Sequence, residues 1–200
     1  MKKPSAIQDG AYTVFFMVGV TGMFISVVAL LHLWTREAVA RNQFLFLKAA
    51  VMEAAGLAVP GDAAAVERWF DSCVREEGSG EGKSFAVLDA PGGRVAARVR
   101  VRRGPGLWGE IAAAVGVDER TGALTGVTFT DQNETPGLGA RIAEPWFKEQ
   151  FKGKRGPFRL VPEGTRSASP EEMDAVTGAT ITSTAVRGIL NRVVKERSER

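Results

Sequence analysis

From Ala11 to Trp34 the chain runs 24 positions with no Asp, Glu, Lys or Arg, His32 being its one side chain that ionises near neutral pH. Wound as an α-helix, such a run spans roughly 36 Å at about 1.5 Å per residue, enough to cross the hydrocarbon core of a bilayer with some tilt. Tyr12 and Trp34 stand near its two ends, where interfacial aromatics sit. The run is too long for the core of a cleaved signal peptide, and no small-residue cleavage site comes after it. The stretch therefore predicts a single transmembrane helix over residues 11–34, after a short tail at 1–10. The remainder of the chain is expected to be a domain tethered to lipid. Charge does not orient it, because Lys2 and Lys3 on one side balance Arg36 and Arg41 on the other. His32 reads as an idle residue at the interface.

Composition narrows the partners. With 24% charged residues and a formal net charge of +3, no strong field calls for nucleic acid. The arginine excess is most visible at 94–103 and 187–200, and it reads as a solvated basic face, with acidic lipid headgroups as the alternative contact. Cys73, the single cysteine, excludes an intrachain disulfide. With one histidine in the chain it also excludes a Cys/His metal cluster, and no metal is expected. Cys73 shares the apolar side of a helical run with Val66, Trp69 and Phe70, which predicts a small buried hydrophobe.

From Arg36 to about Ala58 the pattern stays helical (Phe44, Leu47, Met52, Ala55), as a stalk or as a segment packed on the domain. Pro60-Gly61-Asp62 breaks it, and Asp62 is placed to cap a helix over Ala63–Glu76. Gly78–Gly82 reads as a flexible connection, so residues 35–82 form a helical linker region. From residue 83 the period changes to two. Ser84–Leu88 and Val95–Arg102 flank the turn Asp89–Gly93, and Val95, Ala97, Val99 and Val101 alternate with Ala96, Arg98, Arg100 and Arg102 as in a half-exposed antiparallel strand. A second hairpin joins Glu110–Val117 to Leu124–Thr130, Pro145–Phe151 reads as a short helix, and 161–169 as loop or edge strand. The expected fold is α+β, antiparallel hairpins flanked by helices over residues 83–200.

Near the C-terminus, Asp174-Ala-Val-Thr-Gly-Ala-Thr180 leads into a helical apolar face of Ile181, Ala185, Ile189 and Val193. Thr180 is thus expected at or near a helix N-terminus, where unpaired N–H groups and the dipole favour an anion. A plain N-cap is the simpler reading of the same residues. Hairpins gather loops at one end of a sheet, so Gly104–Gly109, Glu134–Gly139 and Thr177–Thr180 are expected to converge. Together they would offer Leu107, Trp108 and Leu138 as an apolar surface, Glu134 and Thr135 as polar groups, and a hydroxyl on Thr180. An aromatic ligand carrying a phosphate suits that set.

Glu134-Thr-Pro-Gly-Leu-Gly139 followed by Thr177-Gly-Ala-Thr180-Ile-Thr-Ser183 resembles the flavin-carrying subunits of the Rnf and Na+-translocating Nqr respiratory complexes, known as RnfG and NqrC. The resemblance covers roughly residues 11–40 and 84–195, and it includes the single span and the segment Trp146–Lys154. It implies FMN attached by a phosphoester to Thr180, made by a flavin transferase that reads Asp174. The flavin ring would lie against Leu107, Trp108 and Leu138. Glu134 and Thr135 would stand near its edge or ribityl chain, and Gly137, Thr177, Gly178, Ala179 and Thr182 would complete the cofactor site. The resemblance further implies a domain on the extracytoplasmic side of the cell membrane, the other membrane subunits as partners, and an electron relay with no catalytic acid, base or nucleophile of its own. Gly106-Leu-Trp-Gly109 looks more like Nqr, whereas the chain length and the short stretch before the first hairpin look more like Rnf, a ferredoxin:NAD oxidoreductase. Asn133 stands where the family usually has His or Gly. NqrC is the alternative, and a flavin-free anchored assembly module with Thr180 as a cap is the third reading.

Overall fold

The computed structural model describes residues 6–78 and 82–199. Lys2, Lys3, the first half of the expected tail and the middle of the expected 78–82 connection lie outside the described residues. The chain divides into two units, 1–44 and 45–200. The first is most of a single 49-residue helix, α1, Ala6–Ala54. Its large apolar side chains, among them Phe15, Phe16, Phe24, Leu30 and Leu31, stand exposed. A helix apolar all round and unburied is suited to lipid, and α1 is long and apolar enough to cross a membrane. Hydroxyls along it turn back onto the helix: Ser26 donates to the Gly22 carbonyl at 2.8 Å and Thr35 to the Leu31 carbonyl at 2.9 Å, which would satisfy them in hydrocarbon.

The second unit is built on a five-stranded antiparallel meander in the order β1-β2-β3-β4-β5. Its strands are β1 Val74–Glu77, β2 Ser84–Leu88, β3 Val95–Pro105, β4 Glu110–Asp118 and β5 Leu124–Asp131. Helix α2, Ala63–Cys73, precedes them. After the sheet come a 3-10 turn at Gly139–Ala143, the short α3 at Pro145–Glu149, two small parallel strands, β6 Arg159–Val161 and β7 Glu172–Asp174, and finally α4, Thr180–Ser198. Both faces of the sheet are covered. On one, Phe85, Val87, Val99 and Ala114 pack with Ala50, Val51 and Ala54 at the end of α1 and with Trp69 and Phe70 of α2. On the other, Ile111, Val115, Val127 and Phe129 pack with Phe147 and Phe151 and with Val186, Ile189, Leu190 and Val193 of α4. Gly116 and Gly126 face each other across β4 and β5. A Cβ at Gly126 would stand 3.0 Å from the Glu53 carbonyl oxygen, so the bare backbone is what lets the end of α1 lie on the sheet. Thr125 Oγ1 then donates to the Ala54 carbonyl at 2.6 Å and closes the helix end.

Three expectations change. The helix expected over Ala63–Glu76 is capped by Asp62 as foreseen, its carboxylate accepting the N–H groups of Ala64 and Ala65. It stops at Cys73, however, and Val74–Glu77 pairs with β2 as an edge strand. Arg75-Glu76-Glu77 has no strand alternation of its own; the open hydrogen-bonding edge of β2 imposes the extended form. The segment read as loop or edge strand at 161–169 is strand at Val161 and loop beyond it; the change is that Val161 ends β6, Arg159–Val161, which pairs in parallel with β7, a pairing that only tertiary closure supplies.

The third change concerns the arginines. The strand of Val95–Arg102 is not half-exposed: Arg100 and Arg102 are buried, 3% and 5% exposed. The apolar side of β3 faces the first cluster, and α4 lies over the arginine side. Glu196 of α4 receives Arg102 through Nη2 at 2.7 Å and Nε at 2.9 Å, and Arg100 Nε stands 3.6 Å from the same carboxylate. Two guanidinium groups withdrawn from water thus share one counter-charge. Removing it takes the carboxylate from both while Arg102 keeps the Lys83 and Val101 carbonyls, so Glu196→Ala is expected to cost about 2 kcal/mol, below the loss of a fully buried sole partner. The midpoint of denaturant unfolding of the full chain in detergent measures this, and a midpoint equal to wild type would show the pair contributes nothing.

Candidate functional site

The three glycine-bearing loops do converge, and a single side chain joins them. Glu134, 5% exposed, accepts the N–H groups of Leu107 at 2.8 Å and Trp108 at 3.2 Å on Oε1. On Oε2 it accepts the Thr182 hydroxyl at 2.5 Å, in the first turn of α4. One carboxylate therefore holds the loop after β3, the loop after β5 and the start of the last helix. Glycines make room for it: a Cβ at Gly106 would stand 2.5 Å from Oε1, and one at Gly139 would stand 2.7 Å from Oε2. Leu138 leans over the third loop, where a Cβ at Gly178 would be 3.0 Å from its Cδ2. Gly137 and Gly178 both have positive φ, 75° and 77°, so the turns flanking this contact need glycine.

Thr180 is the first residue of α4 and is exposed. The cap position falls on Ala179, and no side chain caps the helix. The N-cap reading of Thr180 is therefore corrected: the preceding backbone turns into the helix without a side-chain acceptor, and Thr180 lies one position too late to supply one. Among the described residues its hydroxyl has no hydrogen-bond partner, and it stands at the positive end of a 19-residue helix. Beside it runs a groove of about 390 Å³ lined by Gly104, Pro105, Ile181, Thr184, Ala185 and Arg192. The apolar side chains around the three loops face solvent, Trp108 at 67%, Ile181 at 56%, Leu107 at 50% and Leu138 at 45% exposed. Trp108 is nevertheless held, because its Nε1 donates to Thr135 Oγ1 at 3.0 Å.

The remaining residues named from the sequence take other positions. Glu134 and Thr182 are buried, the Thr182 hydroxyl donating to one Glu134 oxygen while the other takes the Leu107 and Trp108 N–H groups. Thr177 is exposed, and its backbone N–H is donated to Glu163 Oε2 at 2.7 Å. Asp174 is buried, its carboxylate accepting the N–H of Gly164 at 2.8 Å and that of Arg166 at 3.1 Å. Sequence reasoning missed Glu163, Arg141 and Ser183. Ser183 takes the Val176 N–H at 3.0 Å and donates to the Ala179 carbonyl at 3.0 Å, bracketing the loop from inside. Its place in the Thr180-Ile-Thr-Ser183 run was a usable signal, since a small hydroxyl one turn into a helix commonly serves the loop before it. Nothing in the spacing connects Glu163 to Thr177.

The Arg141 guanidinium binds Glu163 as a fork, at 2.7 and 3.1 Å. This fork first, and the Thr177 N–H after it, hold the Glu163 carboxyl down to about 2. The folded-state value is below the unfolded one, so the interaction stabilises the fold fully above about 4.5 and is lost as pH falls through about 2. Between those values, acid unfolding of Glu163→Gln is expected to depend less on pH than that of wild type, as read from circular dichroism melts. Identical pH slopes would count against the linkage.

These residues suit a ligand that is anionic at one end and flat and apolar at the other. A free hydroxyl stands at a dipole-positive helix end, with exposed aromatic and aliphatic side chains beside it. Comparison with known proteins agrees. Residues 106–195 match the family model of the FMN-binding domain. The chain is 40% identical over 98 residues to the G subunit of the Na+-translocating ferredoxin:NAD+ oxidoreductase complex of Acetobacterium woodii, covering 48% of this chain and 46% of the relative. It is 34% identical over 92 residues to the C subunit of the Na+-translocating NADH-quinone reductase of Vibrio campbellii, covering 42% of this chain and 35% of the relative. The match thus spans less than half the length of these curated relatives. NqrC of Shewanella oneidensis shares the fold, with a TM-score of 0.65 at 21% identity over 77% of this chain and 91% of that one. The corresponding protein of the Na+-translocating NADH-quinone reductase of Parabacteroides distasonis does likewise, with 0.64 at 23% identity over 78% and 92%. Residues 106–195 thus match an FMN-binding domain, and over just under half its length the chain is similar to the RnfG and NqrC subunits.

Proposed function

We propose that the chain is a membrane-anchored flavoprotein with FMN in phosphoester linkage to Thr180, and that it relays electrons within an ion-translocating complex of the Rnf type. The observation that carries the attachment site is Thr180 itself: an exposed hydroxyl without a partner among the described residues, at the first residue of α4. A phosphodiester there keeps one negative charge, which the unpaired N–H groups of the first helical turn and the helix dipole stabilise. Leu107, Trp108, Leu138 and Ile181 give a flat ring a surface to lie on, and the Thr135 hydroxyl fixes the Trp108 indole beneath it. Bound FMN supplies the electron chemistry, and the protein supplies position. In this reading Glu134 contributes by joining the loops and not by touching the ring, since its oxygens are engaged within the protein. Gly137, Gly178 and Ala179 shape the loop backbones that approach the cofactor.

α1 anchors the domain in lipid, with the flavin on the extracytoplasmic side, as in the family. The partners are the other membrane subunits of the complex and, during maturation, a flavin transferase. The higher identity to the Rnf relative supports that complex. The Leu107-Trp108 loop and the NqrC-like fold support the Nqr alternative, and the proteins that co-purify decide between them. The intact mass of the chain after co-expression with a flavin transferase tests the proposal. An added FMN phosphoester is expected, with flavin fluorescence that survives a denaturing gel. A bare mass under those conditions overturns it.

A further inference from the structure

We infer that Asp174 and Glu163 form an internal relay that sets the backbone ahead of Thr180, and that Asp174 serves attachment from inside the fold, not as a side chain presented to the modifying enzyme. This rests on the proposed attachment at Thr180. Asp174, at the end of β7, is 6% exposed. Its carboxylate takes the N–H of Gly164 on Oδ2 at 2.8 Å and the N–H of Arg166 on both oxygens, at 3.1 and 3.2 Å. Its own backbone is bracketed by Gln150, whose Oε1 accepts the Asp174 N–H at 2.6 Å. Little of the group is left for another protein to contact.

Its hydrogen bonds have a clear consequence. Arg166 has φ 48°, the one positive value at a non-glycine position among the described residues. A side chain disfavours that conformation, so something must hold it there. Two oxygens of Asp174 on the Arg166 N–H do so, and they fix the turn through Gly164. The residue immediately before that turn is Glu163, whose Oε2 accepts the Thr177 N–H at 2.7 Å while the Arg141 fork keeps the carboxylate in plane. Asp174 therefore reaches Thr177 twice: directly along the chain, and back through the 163–166 turn. With Ser183 holding the Val176 N–H, successive amides just before Gly178 are pinned by side chains that sequence spacing does not link. The loop that ends in Thr180 is thereby given one shape, and a small displacement of a reacting group is costly to a transfer reaction.

The test uses the full chain co-expressed with a flavin transferase, with the loaded fraction followed by intact mass and the Thr177 amide followed by hydrogen exchange. Asp174→Asn and Glu163→Ala are both expected to slow loading by roughly tenfold or more and to speed exchange at Thr177. Glycine has no penalty at positive φ, so adding Arg166→Gly to Asp174→Asn is expected to recover much of the loading rate. An enzyme that reads the Asp174 carboxylate directly would gain nothing from that second change. Loading by Glu163→Ala at the wild-type rate overturns the relay. So does an Asp174→Asn chain that fails to load while its Thr177 amide stays protected, or a double variant that recovers nothing. If wild type itself carries no flavin on Thr180, the proposed function fails, and unchanged Thr177 exchange in both variants then still refutes the relay on its own.

Discussion

Replacing Thr180 by valine is expected to remove the covalent flavin completely while leaving the domain folded. Valine keeps the size and the branched Cβ of threonine and deletes the single atom that can carry the phosphoester. In this structure that atom does no other work: Ala179 occupies the cap position, no side chain caps α4, and the Thr180 hydroxyl has no partner among the described residues. The stability cost should therefore fall below the roughly 1 kcal/mol typical of a lost threonine cap. Intact mass and fluorescence on a denaturing gel read the first effect, and a thermal melt reads the second. Thr180→Ser, which keeps a hydroxyl, is expected to retain the adduct. If Thr180→Val still gains the FMN mass, attachment lies elsewhere. The exposed Thr184, which lines the same groove, is the next hydroxyl to replace.

Glu134→Ala is expected to be the most destabilising single change in the site. It deletes the acceptor of two backbone N–H groups and of the Thr182 hydroxyl, all in a buried setting. Leaving such donors unpaired, together with the void opened between Gly106 and Gly139, should cost about 3–5 kcal/mol. In a domain of this size that corresponds to a fall in Tm of roughly 6–20 °C. Glu134→Gln keeps one acceptor for Leu107 and Trp108 and turns an amide toward Thr182, so its cost should be nearer 1 kcal/mol, roughly one ordinary hydrogen bond. Thermal unfolding of the full chain in detergent measures both. A Glu134→Ala variant that melts within a degree or two of wild type would mean the three loops stand together without their shared carboxylate.

Much of this architecture is readable along the chain because it rests on local chemistry. An uncharged run from Ala11 to Trp34 has one economical structure in lipid. Asp62 caps α2, and the hairpins of β2–β3 and β4–β5 obey their turn residues and alternation. Burial of Cys73 comes from its place on the apolar side of α2. Each of these is settled within a few residues. The errors came where distant parts compete. Val74–Glu77 joins the sheet because β2 presents an open edge, and the arginines of β3 are buried because a helix from the far end of the chain brings Glu196 to them.

The same division runs through the site. The paired motifs, Glu134–Gly139 and Thr177–Ser183, were legible as converging loops, because glycines, a hydroxyl and a helix start are local features. How each polar group is used was decided by packing alone. Glu134 is a joint between loops and not a free acceptor, Asp174 is turned inward onto the 164–166 turn, and Glu163 enters the site with no sequence signal. Spacing along a chain specifies which backbone shapes are cheap. Which buried carboxylate meets which unpaired N–H is a tertiary matter, since a charge withdrawn from water must take its partners from whatever the fold brings within reach. Local pattern sufficed for a long apolar helix, an α+β domain and a hydroxyl at a helix start. It took the folded chain to leave that hydroxyl exposed and without a partner among the described residues.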